Sequence, residues 1–177
     1  FLSGLLGLAG GFVLIGAQGA WMESADGVLV TVSPAACALD RAHGGAVARR
    51  QWGSDEGVRE AGPRDYHEVR GGFVHHTVNT NSYTRDQVPG IIRSIYAYHV
   101  QSRGWRDIGY NFLIDKSGQI FEGRSGGIDK PVRGAHAGNG AVNEETMGVS
   151  LMGTFTSATP SSGMKSATVD LIAWRFD

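Results

Sequence analysis

An imidazole and a phenol stand 35 positions apart in this chain, each at the edge of an apolar run. His75 lies in Phe73-Val74-His75-His76-Thr77 and Tyr110 in Asp107-Ile108-Gly109-Tyr110-Asn111-Phe112. These are residue types that metal-assisted hydrolysis uses, because an imidazole ligates a metal or carries a proton near neutral pH and a phenol donates to a developing oxyanion. Side chains alternate along a strand, so His75 and His76 point opposite ways and only one can serve a given pocket. Taken singly, His75 also fits a satisfied buried histidine and Tyr110 a core tyrosine. A third stretch, Gly134-Ala135-His136 followed by Asn143 and Gly148-Val149-Ser150, adds an imidazole flanked by small residues, which leave room for a large group to approach. That histidine suits substrate binding, metal ligation or the capping of a turn. Arg124, in Glu122-Gly123-Arg124, suits either a solvated turn or a bound carboxylate. His99 falls on the apolar face of a helix and reads as core, while His43 and His67 sit in polar loops and receive no role.

The elements that must position these groups follow from periodicity. A Gly71-Gly72 break precedes a strand over 73–77. Thr84 and Gln87 match a capping box, and Val88, Ile91, Ile92, Ile95, His99 and Val100 then recur at helical spacing until Gly104, where a left-handed stop is wanted. Two strands, over 109–115 and 119–122, flank a turn at Lys116-Ser117-Gly118 and predict a hairpin, with Gly109 leaving space beside the phenol. Residues 123–143 have no period and read as loops. The run 148–155 is nearly all apolar, as in a strand buried on both faces, and 164–176 returns to helical spacing through Val169, Ile172, Ala173 and Phe176. The expected fold is α/β, a central mixed β-sheet flanked by helices.

The bulk numbers remove several function classes. A net charge of −1, a pI near 6.7 and scattered arginines leave no electrostatic footprint for nucleic acid. A single cysteine, Cys37, excludes an intramolecular disulfide and a multi-cysteine zinc site. No long apolar run leads into Cys37, so an ordinary thiol is favoured over a lipidated one. Residues 1–20 carry no charge and read as a signal peptide, a membrane anchor that would contact the bilayer, or a glycine-rich hairpin, with export preferred. Residues 21–48 read as a linker with one strand-like patch over 28–32. From Arg49 the texture changes to one dense in Trp, Tyr and His, which makes 49–177 the domain. The chain opens on Phe1 and stops at Asp177 inside a helical pattern, and so is expected to be a piece of a longer protein.

Over 49–177 the chain resembles the peptidoglycan recognition proteins, the type 2 N-acetylmuramoyl-L-alanine amidases related to phage T7 lysozyme, and among them the exported actinobacterial members. The resemblance rests on Arg-Arg-Gln-Trp-Gly-Ser-Asp-Glu from residue 49, Phe-Val-His-His-Thr, Arg-Ser-Ile-Tyr-Ala-Tyr-His, Ser-Arg-Gly-Trp-Arg-Asp-Ile-Gly-Tyr-Asn-Phe-Leu-Ile-Asp, Phe-Glu-Gly-Arg, and Gly-Ala-His with its later Gly-Val-Ser. It implies zinc-dependent hydrolysis of the amide between N-acetylmuramic acid and L-alanine in peptidoglycan, outside the cell or in its envelope. His75 would ligate zinc and Tyr110 would assist catalysis. His136, Asn143, Thr77 and Arg124 would belong to the muropeptide groove. The family's two other zinc ligands, a His and then a Cys or Asp, would follow Asp177, so the 177 residues alone are expected to hold zinc poorly and to be inactive. A non-catalytic peptidoglycan-binding module is the competing reading, and a structural surface domain a third.

Overall fold

The computed structural model describes residues 45–176 in full and, ahead of them, the backbone of three strands. The rest of residues 1–44, Cys37 and His43 among them, and Asp177 lie outside the described residues, as does much of the segment read as an export signal. Seven strands form one mixed sheet. In chain order they are β1 (Phe12–Gly16), β2 (Gly19–Glu23), β3 (Leu29–Val32), β4 (Gly71–His76), β5 (Phe112–Ile114), β6 (Ile120–Glu122) and β7 (Thr146–Leu151). Across the sheet the order is β3-β2-β1-β4-β7-β5-β6. The interior strand β7 runs parallel to both β4 and β5, while β6 and β1 join antiparallel on either side. Among the described residues three α-helices flank the sheet: α1 (Val88–Ala97), the short α2 (Gly140–Glu145) and α3 (Ser162–Phe176). Among the described residues no helix is long and apolar enough to cross a membrane.

Alternation along the strands sorts the core into two layers. Phe112, Ile114, Val149 and Leu151 face α3, where they meet Met164, Ala167, Leu171 and Ile172. Leu113, Phe121 and Met152 face the other way, onto Val88, Ile92 and Tyr96 of α1 and onto Trp52. The helical period through 88, 92 and 96 therefore buries the face that the sequence predicts. Gln87 accepts the Thr84 N–H at 2.8 Å at the start of this segment. Past α1 the chain widens into a π turn over Tyr98–Ser102 and leaves the helix at Gly104 with φ +67°, the left-handed stop that only glycine adopts cheaply.

Two expectations are corrected. The apolar stripe of α3 runs through Met164, Ala167, Thr168, Leu171 and Ile172, with Phe176 packed against the same cluster as expected, rather than through Val169 and Ala173. Thr168 is tolerated inside because its hydroxyl donates to the Met164 carbonyl at 2.7 Å, which removes the polar signal that would have blurred the stripe. Glu122 is not part of a solvated turn: it is buried, and its carboxylate accepts the N–H groups of Arg49 (3.1 Å) and Gly127 (3.2 Å). The hairpin turn is as expected, with Asp115 Oδ1 accepting from Ser117 N, Ser117 Oγ and Gln119 N at 2.8, 2.6 and 3.0 Å.

Candidate active site

His75 projects from β4 toward the α1 side of the sheet, and His76 from the opposite face, where its Nδ1 accepts the Phe155 N–H at 2.8 Å. The two side chains thus point to opposite faces, as alternation along a strand requires. The His75 ring centroid is 5.7 Å from that of Tyr110 and 5.1 Å from that of His136. The file of rings extends in both directions, with Phe73 5.8 Å from His136, His99 5.5 Å from Tyr110, and Trp105 4.6 Å beyond His99. Three segments distant in sequence, at 73–75, 99–110 and 136, thus converge on one face.

Glycines set how closely they converge. A Cβ at Gly148 would lie 2.4 Å from the His136 ring, and one at Gly134 would lie 2.6 Å from it. The space left by small residues around His136 is taken by its own imidazole, laid flat on β7. The gap at Gly109 is likewise filled, because a Cβ there would meet the Ala135 carbonyl oxygen at 2.7 Å and the Trp105 ring at 2.8 Å. Asn111 fixes this floor: its Oδ1 accepts the Gly148 N–H at 2.9 Å and its Nδ2 donates to the Val132 carbonyl at 2.7 Å.

The proton positions follow from the partners. His136 Nε2 lies 3.4 Å from the Thr146 carbonyl and 3.3 Å from Thr146 Oγ1, whose own proton goes to the Val142 carbonyl at 2.5 Å. Both neighbours are acceptors, so His136 Nε2 carries the proton and Nδ1 is bare. His75 Nε2, 3.0 Å from His136 Nδ1, must then donate to it, which leaves His75 Nδ1 as the unspent lone pair. Burial pushes both imidazoles down to about 4, His76 adding to the shift at His75 and His75 to that at His136, so both are neutral at pH 7. Burial raises the Tyr110 phenol, and the neighbouring Ser150 hydroxyl offsets part of the rise. Tyr110 is a protonated donor at neutral pH.

The other residues expected in the groove fall in two groups. Asn143 is beside the site, its Oδ1 accepting the N–H groups of His136 (2.9 Å) and Ala137 (3.0 Å), so it holds the histidine's backbone. Thr77 follows β4, where its hydroxyl accepts the Gly153 N–H at 2.9 Å and donates to Asn79. Arg124 sends its backbone N–H to the Tyr110 carbonyl at 2.8 Å, while its guanidinium donates to the Ile108 carbonyl at 3.1 Å. His99 is core, as its spacing predicts, yet its Nδ1 accepts the Gly109 N–H at 3.2 Å and its ring backs Tyr110, a supporting role that no local pattern announces.

Zinc needs three protein donors or more. The described residues contain no group of three or more His, Cys, Asp or Glu side chains placed to hold a metal ion. At this site they offer His75 Nδ1 and, if the hydrogen bond between the imidazoles is given up, His136 Nδ1. Those donors alone do not make a zinc site.

Comparison with known proteins places this arrangement. Residues 65–177 match the N-acetylmuramoyl-L-alanine amidase family. Peptidoglycan-recognition protein SC2 of Drosophila simulans is 32% identical over 127 residues, which cover 72% of this chain and 65% of that protein, so the chain spans about two thirds of that relative's length. Peptidoglycan recognition protein 1 of Bos indicus is 32% identical over 130 residues, covering 73% of this chain and 65% of that protein. Among solved structures, human PGRP-IβC in complex with glycosamyl muramyl pentapeptide superposes with a TM-score of 0.62 at 30% identity, covering 72% of this chain and 73% of that one. With its mixed sheet, its flanking helices and these matches, the chain belongs to the peptidoglycan recognition protein family of type 2 N-acetylmuramoyl-L-alanine amidases.

Proposed function

We propose that the domain over 49–177 binds muropeptides of peptidoglycan and belongs to an exported N-acetylmuramoyl-L-alanine amidase, with residues 1–20 directing export. The observation that carries the reading is the convergence of His75, Tyr110 and His136 on one face of the sheet, with a neutral imidazole lone pair and a protonated phenol side by side. A similar structure holds a glycosamyl muramyl pentapeptide, which supports the ligand class.

In this reading Tyr110 donates its O–H to the oxygen of the scissile amide and stabilises the oxyanion that forms when water adds to the carbonyl carbon. His136, held by Asn143 and Thr146, lines the groove and orients the acyl side. Thr77 and Arg124 belong to its rim. Zinc would supply the activated water in such an enzyme, and His75 would be one of its ligands, but the described residues do not complete its site. A zinc titration of the 177-residue chain should accordingly show weak binding; tight one-to-one binding would contradict this ligand count.

The test is digestion of purified muropeptides by the intact protein with and without a chelator, product release being followed by mass spectrometry. Release of free stem peptide that stops on metal removal is the expected result, and cleavage indifferent to the chelator would count against it. The second reading is a non-hydrolytic peptidoglycan-binding module. It predicts muropeptide binding with no release of peptide at all.

A further inference from the structure

Beneath the file of rings lies a hydroxyl that nothing in the fold accounts for. Along β7 the face turned to the rings carries Gly148, under His136, and then Ser150, which pairs with His75 on one side and Leu113 on the other. Ser150 has no exposed surface, and its Oγ is buried without a hydrogen-bond partner among the described residues. Such groups are rare, because the hydroxyl has given up water for nothing in return. Thr168 and Thr146 show the usual solution: each donates to a carbonyl four residues back, that of Met164 and that of Val142. A strand is extended and brings no such carbonyl within reach, so the Ser150 proton must find its acceptor among side chains across the sheet.

Tyr110 supplies the complementary gap. Tyr66, Tyr83 and Tyr96 donate their O–H groups to the backbone carbonyls of Gly126 (3.2 Å), Met152 (3.1 Å) and Asp55 (3.1 Å). The Tyr110 hydroxyl is not tied down in this way. Its neighbour is the Ser150 hydroxyl, which offsets part of the upward push of burial on the phenol. A hydroxyl has that effect when it gives its hydrogen to the phenol oxygen, which sets the direction of the contact.

We propose that Ser150 is a positioning residue for Tyr110: its hydroxyl donates to the phenol oxygen and leaves the phenol's own proton aimed at the ligand. Ser150 is out of a ligand's reach and acts only through Tyr110. An oxygen that accepts one hydrogen bond becomes a stronger donor of the next, and an O–H direction fixed in advance needs no reorganisation when the oxyanion forms. The catalytic consequence rests on the amidase reading, whereas the contact itself does not.

The contact and its consequence are tested apart. On the 177-residue chain, with neither ligand nor metal added, the near-ultraviolet difference spectrum between the parent and Ser150→Ala should contain a tyrosine band. The same difference taken in a Tyr110→Phe background should lack it. No band in the first pair, or an equal band in both, overturns the contact. Muropeptide hydrolysis by the intact protein tests the consequence. Ser150→Ala should lower kcat about five- to tenfold at constant KM, as loss of one hydrogen bond does, with Tm nearly unchanged because the desolvation cost of the hydroxyl goes with it. In the Tyr110→Phe background the same substitution should have no further effect. A fall in Tm with kcat per folded molecule unchanged would make Ser150 structural and overturn the proposal. So would an undiminished loss of kcat in the Tyr110→Phe background, which would put its partner elsewhere, at His75. If the unmutated protein releases no peptide while the tyrosine band is present, the amidase reading falls and takes the catalytic consequence with it, and the contact stands.

Discussion

The two faces of the sheet are built from the same strands and do different work. Against α3 the buried cluster of Phe112, Ile114, Ile120, Met147, Val149, Leu151, Met164, Leu171 and Ile172 contains no ionisable group. On the α1 side the same strands carry His75, Ser150 and Gly148, and their neighbours include His99, Tyr110, Arg49 and Asp107. Successive residues of β7 alternate between these worlds: Val149 packs on α3, and Ser150, beside His75, faces the rings. A one-residue change of register would exchange them. The aliphatic layer fixes the register, and the polar layer exploits it.

Substitutions on each face should separate stability from activity. The largest effect is expected from Leu171→Ala, which empties a fully buried position against β5 and β7 and should cost about 2–5 kcal/mol in urea unfolding, with activity per folded molecule unchanged. If activity falls with stability, the two faces are not independent. Tyr110→Phe is the converse. On the amidase reading proposed above, losing this oxyanion donor in the intact protein should lower kcat by about 10²–10³ with KM and the unfolding midpoint nearly constant; equal loss of binding and turnover would make the residue structural. Gly148→Ala probes the border, since its Cβ must displace the His136 ring. A cost of about 1–3 kcal/mol is expected, together with weakened muropeptide binding measured by calorimetry.

Acid gives the smallest and most graded contrast. Burial first, with Arg103 and Arg124 adding to it, holds His99 at about 4 in the folded chain, below its value near 6.5 when unfolded. The unfolded state therefore binds more protons between those values, and stability present above pH 6.5 should be lost progressively as pH falls toward 4. His99→Gln should reduce the fall of the urea midpoint over that window, leaving the share due to His75 and His136, which burial also holds at about 4. Glu56 extends the loss lower. Burial alone would raise its carboxyl, but hydrogen bonds from Arg49, Ser54 and Arg59 outweigh that and hold it at about 2, so its contribution fades as pH drops from about 4.5 to 2. The α3 cluster, with nothing to titrate, should not contribute to either slope.

What could be read from the residues alone was whatever a local period or a turn residue encodes. The α1 stripe, the Gly104 stop, the Asp115 hairpin and the opposed pair His75 and His76 all depend on neighbours within a few positions. The six residues of α2 were missed because less than two turns shows no period, although Asn139 caps it by accepting from Val142 N at 3.3 Å. The phase of α3 is only partly legible: Ile172 and Phe176 lie on the packed face as expected, but Thr168 hides its polarity inside the helix and shifts the rest of the stripe. At the site, the types of His75 and Tyr110 were legible, but their tautomers and spacing depend on Thr146, Gly148 and Asn143, which meet them only in three dimensions. The burial of Glu122 was likewise invisible, since Arg49 reaches it from 73 positions away.

The amide of Asn111 has a consequence for how a ligand arrives. Because it grips Gly148 in the sheet with one end and Val132 in the long connection with the other, that connection cannot lift like a flap without stripping a central strand of a partner. The segment carrying His136 is thus shaped before any ligand reaches it. Association therefore forfeits little chain freedom, and affinity should rest on fit rather than on the folding of a lid.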